Sequence, residues 1–124
     1  MSFDYSVEMI NISKNFGGIQ ALKDVTFSVK PRCIHALVGE NGAGKSTLIK
    51  ILSGALRQDR GTIKLDGIET NIHSPKEAKN HGIATIYQEF LLAQHLTVAE
   101  NMFFDDLKRF GKLINWKKMY SEAT

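Results

Sequence analysis

Only one cysteine, Cys33, occurs in the sequence, so neither an internal disulfide nor a cysteine-built metal centre is available. Its place just before an apolar run predicts a small buried thiol. No apolar stretch approaches the roughly 18 residues of a membrane span, which excludes direct membrane insertion. The start, Met1-Ser2-Phe3-Asp4-Tyr5, lacks the basic and then apolar character of a secretory signal, and a cytoplasmic protein is expected. Internal repeats and low-complexity segments are absent. The four histidines, His35, His73, His81 and His95, are scattered without ligand spacing, and His35 reads as a core histidine. Charge of one sign is also scarce, at a net +3. Its late portion, Lys108, Arg109, Lys112, Lys117 and Lys118, is interleaved with Phe110, Trp116 and Tyr120. That mixture reads as the solvated face of a helix and not as a nucleic-acid surface.

What is present suits a globular chain. With 124 residues, 43% of them apolar and 23% charged, the sequence supports one domain at most, built on one modest core. Val7 to Ile12 and the alternating Val25-Thr26-Phe27-Ser28-Val29, ended by Pro31, read as strands, with a turn at Asn15-Phe16-Gly17-Gly18 between them. Ile34 to Val38 reads as a third strand, Ser46 to about Leu52 as a helix closed by Gly54, and Gly61 to Gly67 as a further strand. Ser74 and Glu77 have capping-box spacing, with Pro75 at the first helical position; that helix should end near Gly82. Ile83 to Tyr87 reads as a strand ending at Gln88, and Glu89 to Leu96 as a loop. Thr97 and Glu100 repeat the capping-box spacing and open a helix carrying Met102, Phe103 and Leu107. Asn115 caps a last helix through Trp116 and Met119. The outcome is an α/β fold with an antiparallel portion near the N-terminus.

The strongest motif is Gly39-Glu40-Asn41-Gly42-Ala43-Gly44-Lys45-Ser46-Thr47. It fits the phosphate-loop pattern G-x-x-x-x-G-K-[ST] without a mismatch, between an apolar run and a helical pattern. Polyphosphates need many donors without bulk. Glycines let backbone N–H groups turn inward, and the start of a helix adds unpaired N–H groups and the positive end of its dipole. Lys45 would reach the β- and γ-phosphates, and the Ser46 hydroxyl would ligate Mg²⁺.

Four features in this order resemble the ATP-binding subunits of ABC transporters: Phe16 before the second strand, the phosphate loop, the strand Gly61 to Gly67, and Gln88 at a strand end. The wording from His35 to Leu48, Ile86-Tyr87-Gln88-Glu89, and Leu96-Thr97-Val98-Ala99-Glu100-Asn101 is similar to the branch that imports monosaccharides such as ribose, galactose and xylose. The resemblance covers nearly all of the chain. It implies that residues 1–124 are part of one nucleotide-binding domain, with a helical subdomain starting at about residue 89. The implied fold is a P-loop NTPase-type α/β sheet core with an N-terminal antiparallel β portion, truncated before the domain is complete. Phe16 then matches the aromatic that stacks on adenine. Lys45 and Ser46 match the phosphate and Mg²⁺ positions, with Thr47 beside them. Gln88 matches the glutamine that reaches the metal and attacking water and couples the site to the membrane subunits. The family usually has Gly-Glu where this chain has Arg32-Cys33.

The resemblance implies ATP and Mg²⁺ as cofactors, with permease subunits docking near Gln88 and a second nucleotide-binding domain facing the site. It places the protein on the inner face of the membrane through those permease subunits. Hydrolysis is expected of the complete protein. The family's signature segment, magnesium-binding aspartate, catalytic glutamate and switch histidine have no counterpart here, and Glu89 matches no catalytic position. The chain alone is therefore expected to bind ATP weakly and hydrolyse it negligibly. Two alternatives stand beside this reading: a truncated, non-catalytic nucleotide-binding module, and another P-loop ATPase or kinase, for which Arg57 and Arg60 are the arginines near the loop.

Overall fold

In the computed structural model, residues 4–86, 92–103 and 121 are described. The chain divides into two compact units, Met1–Ile86 and Tyr87–Thr124. In the first, β1 (Val7–Phe16) and β2 (Ile19–Val29) form a long antiparallel hairpin. The turn between them is Gly17-Gly18, both at positive φ (50° and 91°), which a tight two-residue hairpin turn demands and glycine supplies without strain. Helix α1 (Lys45–Leu52) follows, then β3 (Arg60–Leu65), β4 (Ile68–Glu69) and helix α2 (Pro75–Asn80). The sheet order is β2-β1-β3-β4, antiparallel throughout.

Both strands of the hairpin run further than their apolar cores suggest. Asn11 and Asp24 take left-handed backbone conformations at breaks in register. Local polar bonds hold these breaks: Asn11 N–H donates to Thr26 Oγ1, and Asp24 N–H to Ser13 Oγ. Such bulges carry a ladder through polar stretches that simple alternation reads as its end.

The core of this unit joins one face of the sheet to α1 and α2. Met9, Ile12, Leu22, Leu48, Ile51, Ile63, Ile72 and Ala78 form a single buried cluster. Leu48 and Ile51 are the inward stripe of α1. Helix α2 opens as expected, with Ser74 Oγ accepting from Glu77 N–H. The Glu77 carboxylate reaches one residue further back, to the N–H of His73. In the second unit, helix α3 (Val98–Met102) has both halves of its capping box: Glu100 N–H donates to Thr97 Oγ1, and Thr97 N–H to the Glu100 carboxylate. Asn101 ties down the preceding turn, accepting from Ala93 N–H and donating to the carbonyls of Ala93, Leu96 and Thr97.

Four expectations are corrected. Ile34 to Val38 forms no strand; Ile34 and Val38 are almost fully exposed. Residues 83–86 of the Ile83–Tyr87 run are likewise not a strand, and Ile86 is 99% exposed. Continuous apolar runs of this kind suit strands buried on both faces of a parallel sheet, and they become strands only when neighbours complete their ladders. Among the described residues no strand pairs with either run. His35 is therefore exposed, held edge-on to Phe27 with ring centroids 5.0 Å apart, and is not a core histidine. Cys33 is exposed for the same reason. Tyr87, Gln88, Leu107, the late basic and aromatic residues and the helix expected from Asn115 to Met119 lie outside the described residues. Among the described residues, no helix is long and apolar enough to cross a membrane.

Candidate functional site

The segment from Gly39 to Thr47 bends into a loop and enters α1. Ala43 N–H donates to the Glu40 carbonyl at 3.2 Å, and a Cβ on Gly39 would lie 3.3 Å from that of Ala43, so the loop closes tightly on itself. Gly42 and Gly44 have φ of 87° and 84°. Gly44 is the N-cap of α1, and no side chain caps that helix. Its carbonyl accepts the first helical bond, from Leu48 N–H at 2.9 Å. Lys45, Ser46 and Thr47 thus supply the N–H groups of the first turn, where the helix dipole is positive and an anion is favoured.

Gly39 to Gly42 and Ser46 are exposed, and Lys45 is half-buried. The Lys45 ammonium curls back over the loop, donating to the carbonyls of Gly39 at 2.5 Å and Glu40 at 2.6 Å. Those carbonyls hold the side chain across the mouth of the loop, where a phosphate oxygen could replace them as acceptor. The Ser46 hydroxyl sits one residue along the same helical turn, a hard oxygen donor of the kind Mg²⁺ takes alongside substrate phosphates. Among the described residues, no three His, Cys, Asp or Glu side chains gather into a metal cage.

Phe16 lies at the end of β1, paired with Ile19 across the hairpin turn and 45% exposed. Three residues of strand, about 10 Å, separate Ile19 from Leu22, whose side chain packs under Gly44. The hairpin therefore carries the aromatic and the floor of the loop on one element. Gln88 lies outside the described residues, and its distance from Ser46 has no place in this geometry.

One contact was not legible in the spacing of the sequence. Asp59, in the turn before β3, accepts from Lys14 Nζ at 2.7 Å and from Asn15 N–H at 2.7 Å. The Lys14 ammonium also stands 5.7 Å from the centre of the Phe16 ring. The hydrogen bond from Lys14, then that from the Asn15 N–H, holds the Asp59 carboxyl below its ordinary pKa. No motif links residues 44 positions apart, and only the folded sheet brings them together.

Comparisons with known proteins agree with this geometry. A family model described as "ABC transporter" matches residues 22–124. The xylose import ATP-binding protein XylG of Geobacillus kaustophilus is 49% identical over 121 residues, covering 96% of this chain and 24% of that protein. The ribose import ATP-binding protein RbsA of a Chelativorans species is 50% identical over 117 residues, 94% of this chain and 22% of the relative. The chain thus spans about a quarter of the length of the curated relatives it matches. A solved ATP-binding cassette of an ABC transporter in its ADP conformation superposes with a TM-score of 0.73 at 27% identity, covering 94% of this chain and 45% of that one. Sequence and fold lead to one conclusion: the chain belongs to the ABC transporter family.

Proposed function

We propose that residues Gly39 to Thr47 hold the triphosphate of ATP, as the phosphate-binding part of the energy-coupling subunit of a monosaccharide importer. The observation that carries this reading is the uncapped start of α1 at Gly44, with the closed loop before it and the Lys45 ammonium held over that loop. Backbone N–H groups would take the phosphate oxygens, and Lys45 would exchange two carbonyls for the β- and γ-phosphates. Phe16 would stack on the adenine ring. Mg²⁺, held by Ser46 and by Gln88, would neutralise charge between the β- and γ-phosphates.

In the complete subunit, ATP is then closed in against a second nucleotide-binding domain and hydrolysed. Gln88 positions the attacking water and couples the site to permease subunits docked beside it, which places the protein on the inner face of the membrane. The sugar-import reading is supported by relatives named for xylose and ribose import.

The test is a calorimetric titration of MgATP against the chain and its Lys45→Ala variant. Losing two charge-assisted bonds to phosphate should weaken binding about tenfold or more. Equal affinities would overturn the assignment of the loop.

A further inference from the structure

We infer that Asp59 is a positioning residue for the adenine-stacking ring of Phe16, and that it governs how strongly the site prefers an adenine nucleotide to a bare polyphosphate. The inference rests on the proposed stacking role of Phe16. Its own evidence is the way the hairpin end is held. The β1–β3 ladder stops at Ser13, which pairs with Arg60, so Lys14, Asn15 and Phe16 project beyond the third strand. A two-stranded ribbon alone is marginally stable in water, and its end frays. Among the described residues Phe16 belongs to no buried cluster, and it is 45% exposed, so core packing does not fix its ring.

Asp59 takes over where the ladder ends. Its N–H donates to the Ser13 carbonyl at 2.9 Å, one carboxylate oxygen accepts from Asn15 N–H, and the other accepts from Lys14 Nζ. The bonds to the Ser13 carbonyl and the Asn15 N–H are ones a further strand would have supplied, and the carboxylate strengthens the second by its charge. The Lys14 ammonium is then shared between the Asp59 carboxylate and the Phe16 ring, 5.7 Å from its centre. A ring ordered in this way loses less freedom when a base stacks on it. The bonds of Asp59 go to Ser13, Lys14 and Asn15 at the turn end of β1 and to no residue from Gly39 to Thr47, so the advantage should be confined to the base.

The experiment compares the intact chain with D59A, D59N, F16A and the D59A/F16A double variant. Affinities for MgATP and for Mg²⁺–tripolyphosphate are measured by calorimetry. D59A should weaken MgATP about fivefold and leave tripolyphosphate unchanged. D59N keeps an oxygen for Asn15 N–H but loses the charge, and should fall between D59A and the parent. In the F16A background D59A should add nothing. Equal weakening of both ligands by D59A, no effect on ATP, or additive losses in the double variant would each overturn the proposal. If F16A leaves ATP affinity intact, the stacking role falls, and the role of Asp59 with it. If F16A weakens ATP while D59A does not, only the role of Asp59 falls.

Discussion

Leu22 occupies the space that a side chain on Gly44 would need: a Cβ there would lie 2.6 Å from Leu22 Cδ2 and 2.8 Å from the Ala21 carbonyl oxygen. The backbone at Gly44 is also left-handed, at φ 84°. Gly44→Ala should therefore combine an unfavourable conformation with overpacking, a destabilisation of about 2–4 kcal/mol. Urea unfolding would read this as a lower midpoint at unchanged slope, and MgATP affinity should fall with it.

Arg32 is the opposite case, a residue with a side chain where the backbone favours none. Its φ is 57° in the turn after Pro31. Arg32→Gly should relieve the strain and stabilise the chain by up to about 1 kcal/mol, the gain being reduced by the greater freedom of glycine when unfolded. A thermal or urea melt tests the sign. A loss of stability would mean that the Arg32 side chain makes contacts outweighing its strain.

Within α1, two isoleucines two positions apart should behave differently. Ile51 is fully buried and Ile49 is 40% exposed. Ile51→Ala should cost about 2–5 kcal/mol, whereas Ile49→Ala should cost less than about 1.5 kcal/mol. Comparable costs in chemical denaturation would contradict the inward stripe assigned to this helix.

Two carboxylates give a pH dependence of known sign. Asp59 is held low by Lys14 and then by Asn15 N–H, and Glu100 by the N–H and then the hydroxyl of Thr97. A group whose folded pKa lies below its unfolded one stabilises the fold above the unfolded value, and that contribution is lost as pH falls through the folded value. Stability should therefore be flat with respect to these groups at neutral pH and decline in the range below about pH 4. In D59N and E100Q the acid-side decline should be shallower, measured as unfolding midpoint against pH.

Signals that act within one turn of chain were legible in the sequence. Ser74, Pro75 and Glu77, and Thr97 with Glu100, mark helix starts because their hydrogen bonds close over three or four residues. The run from Gly39 to Thr47 marked a loop entering a helix for a similar reason. Strand identity was less legible. Ile34 to Val38 and Ile83 to Ile86 have strand composition without ladder partners among the described residues, since a strand is made by its neighbours and not by its own residues. Ile68–Glu69, only two residues long, carried no periodicity at all and exists because Asp66 and Gly67 turn the chain back at positive φ. Asp59 was invisible because its partners are distant in sequence and its residue type is common in turns.

The placement of β1 between β2 and β3 has a consequence for how the phosphate loop comes into being. Residues 30–59, which contain the loop and the whole of its helix, are strung between two strands that both pair with β1. Tying such a span costs closure entropy of about 3 kcal/mol, and it is tied only when Arg60 to Leu65 has docked. During synthesis the hairpin can assemble early, while the loop stays slack until β3 has emerged. Because a ligand that binds only the native state stabilises it, a nucleotide should favour the form in which β3 is docked. The third strand of this sheet thus acts as the drawstring of a loop that precedes it by some twenty residues.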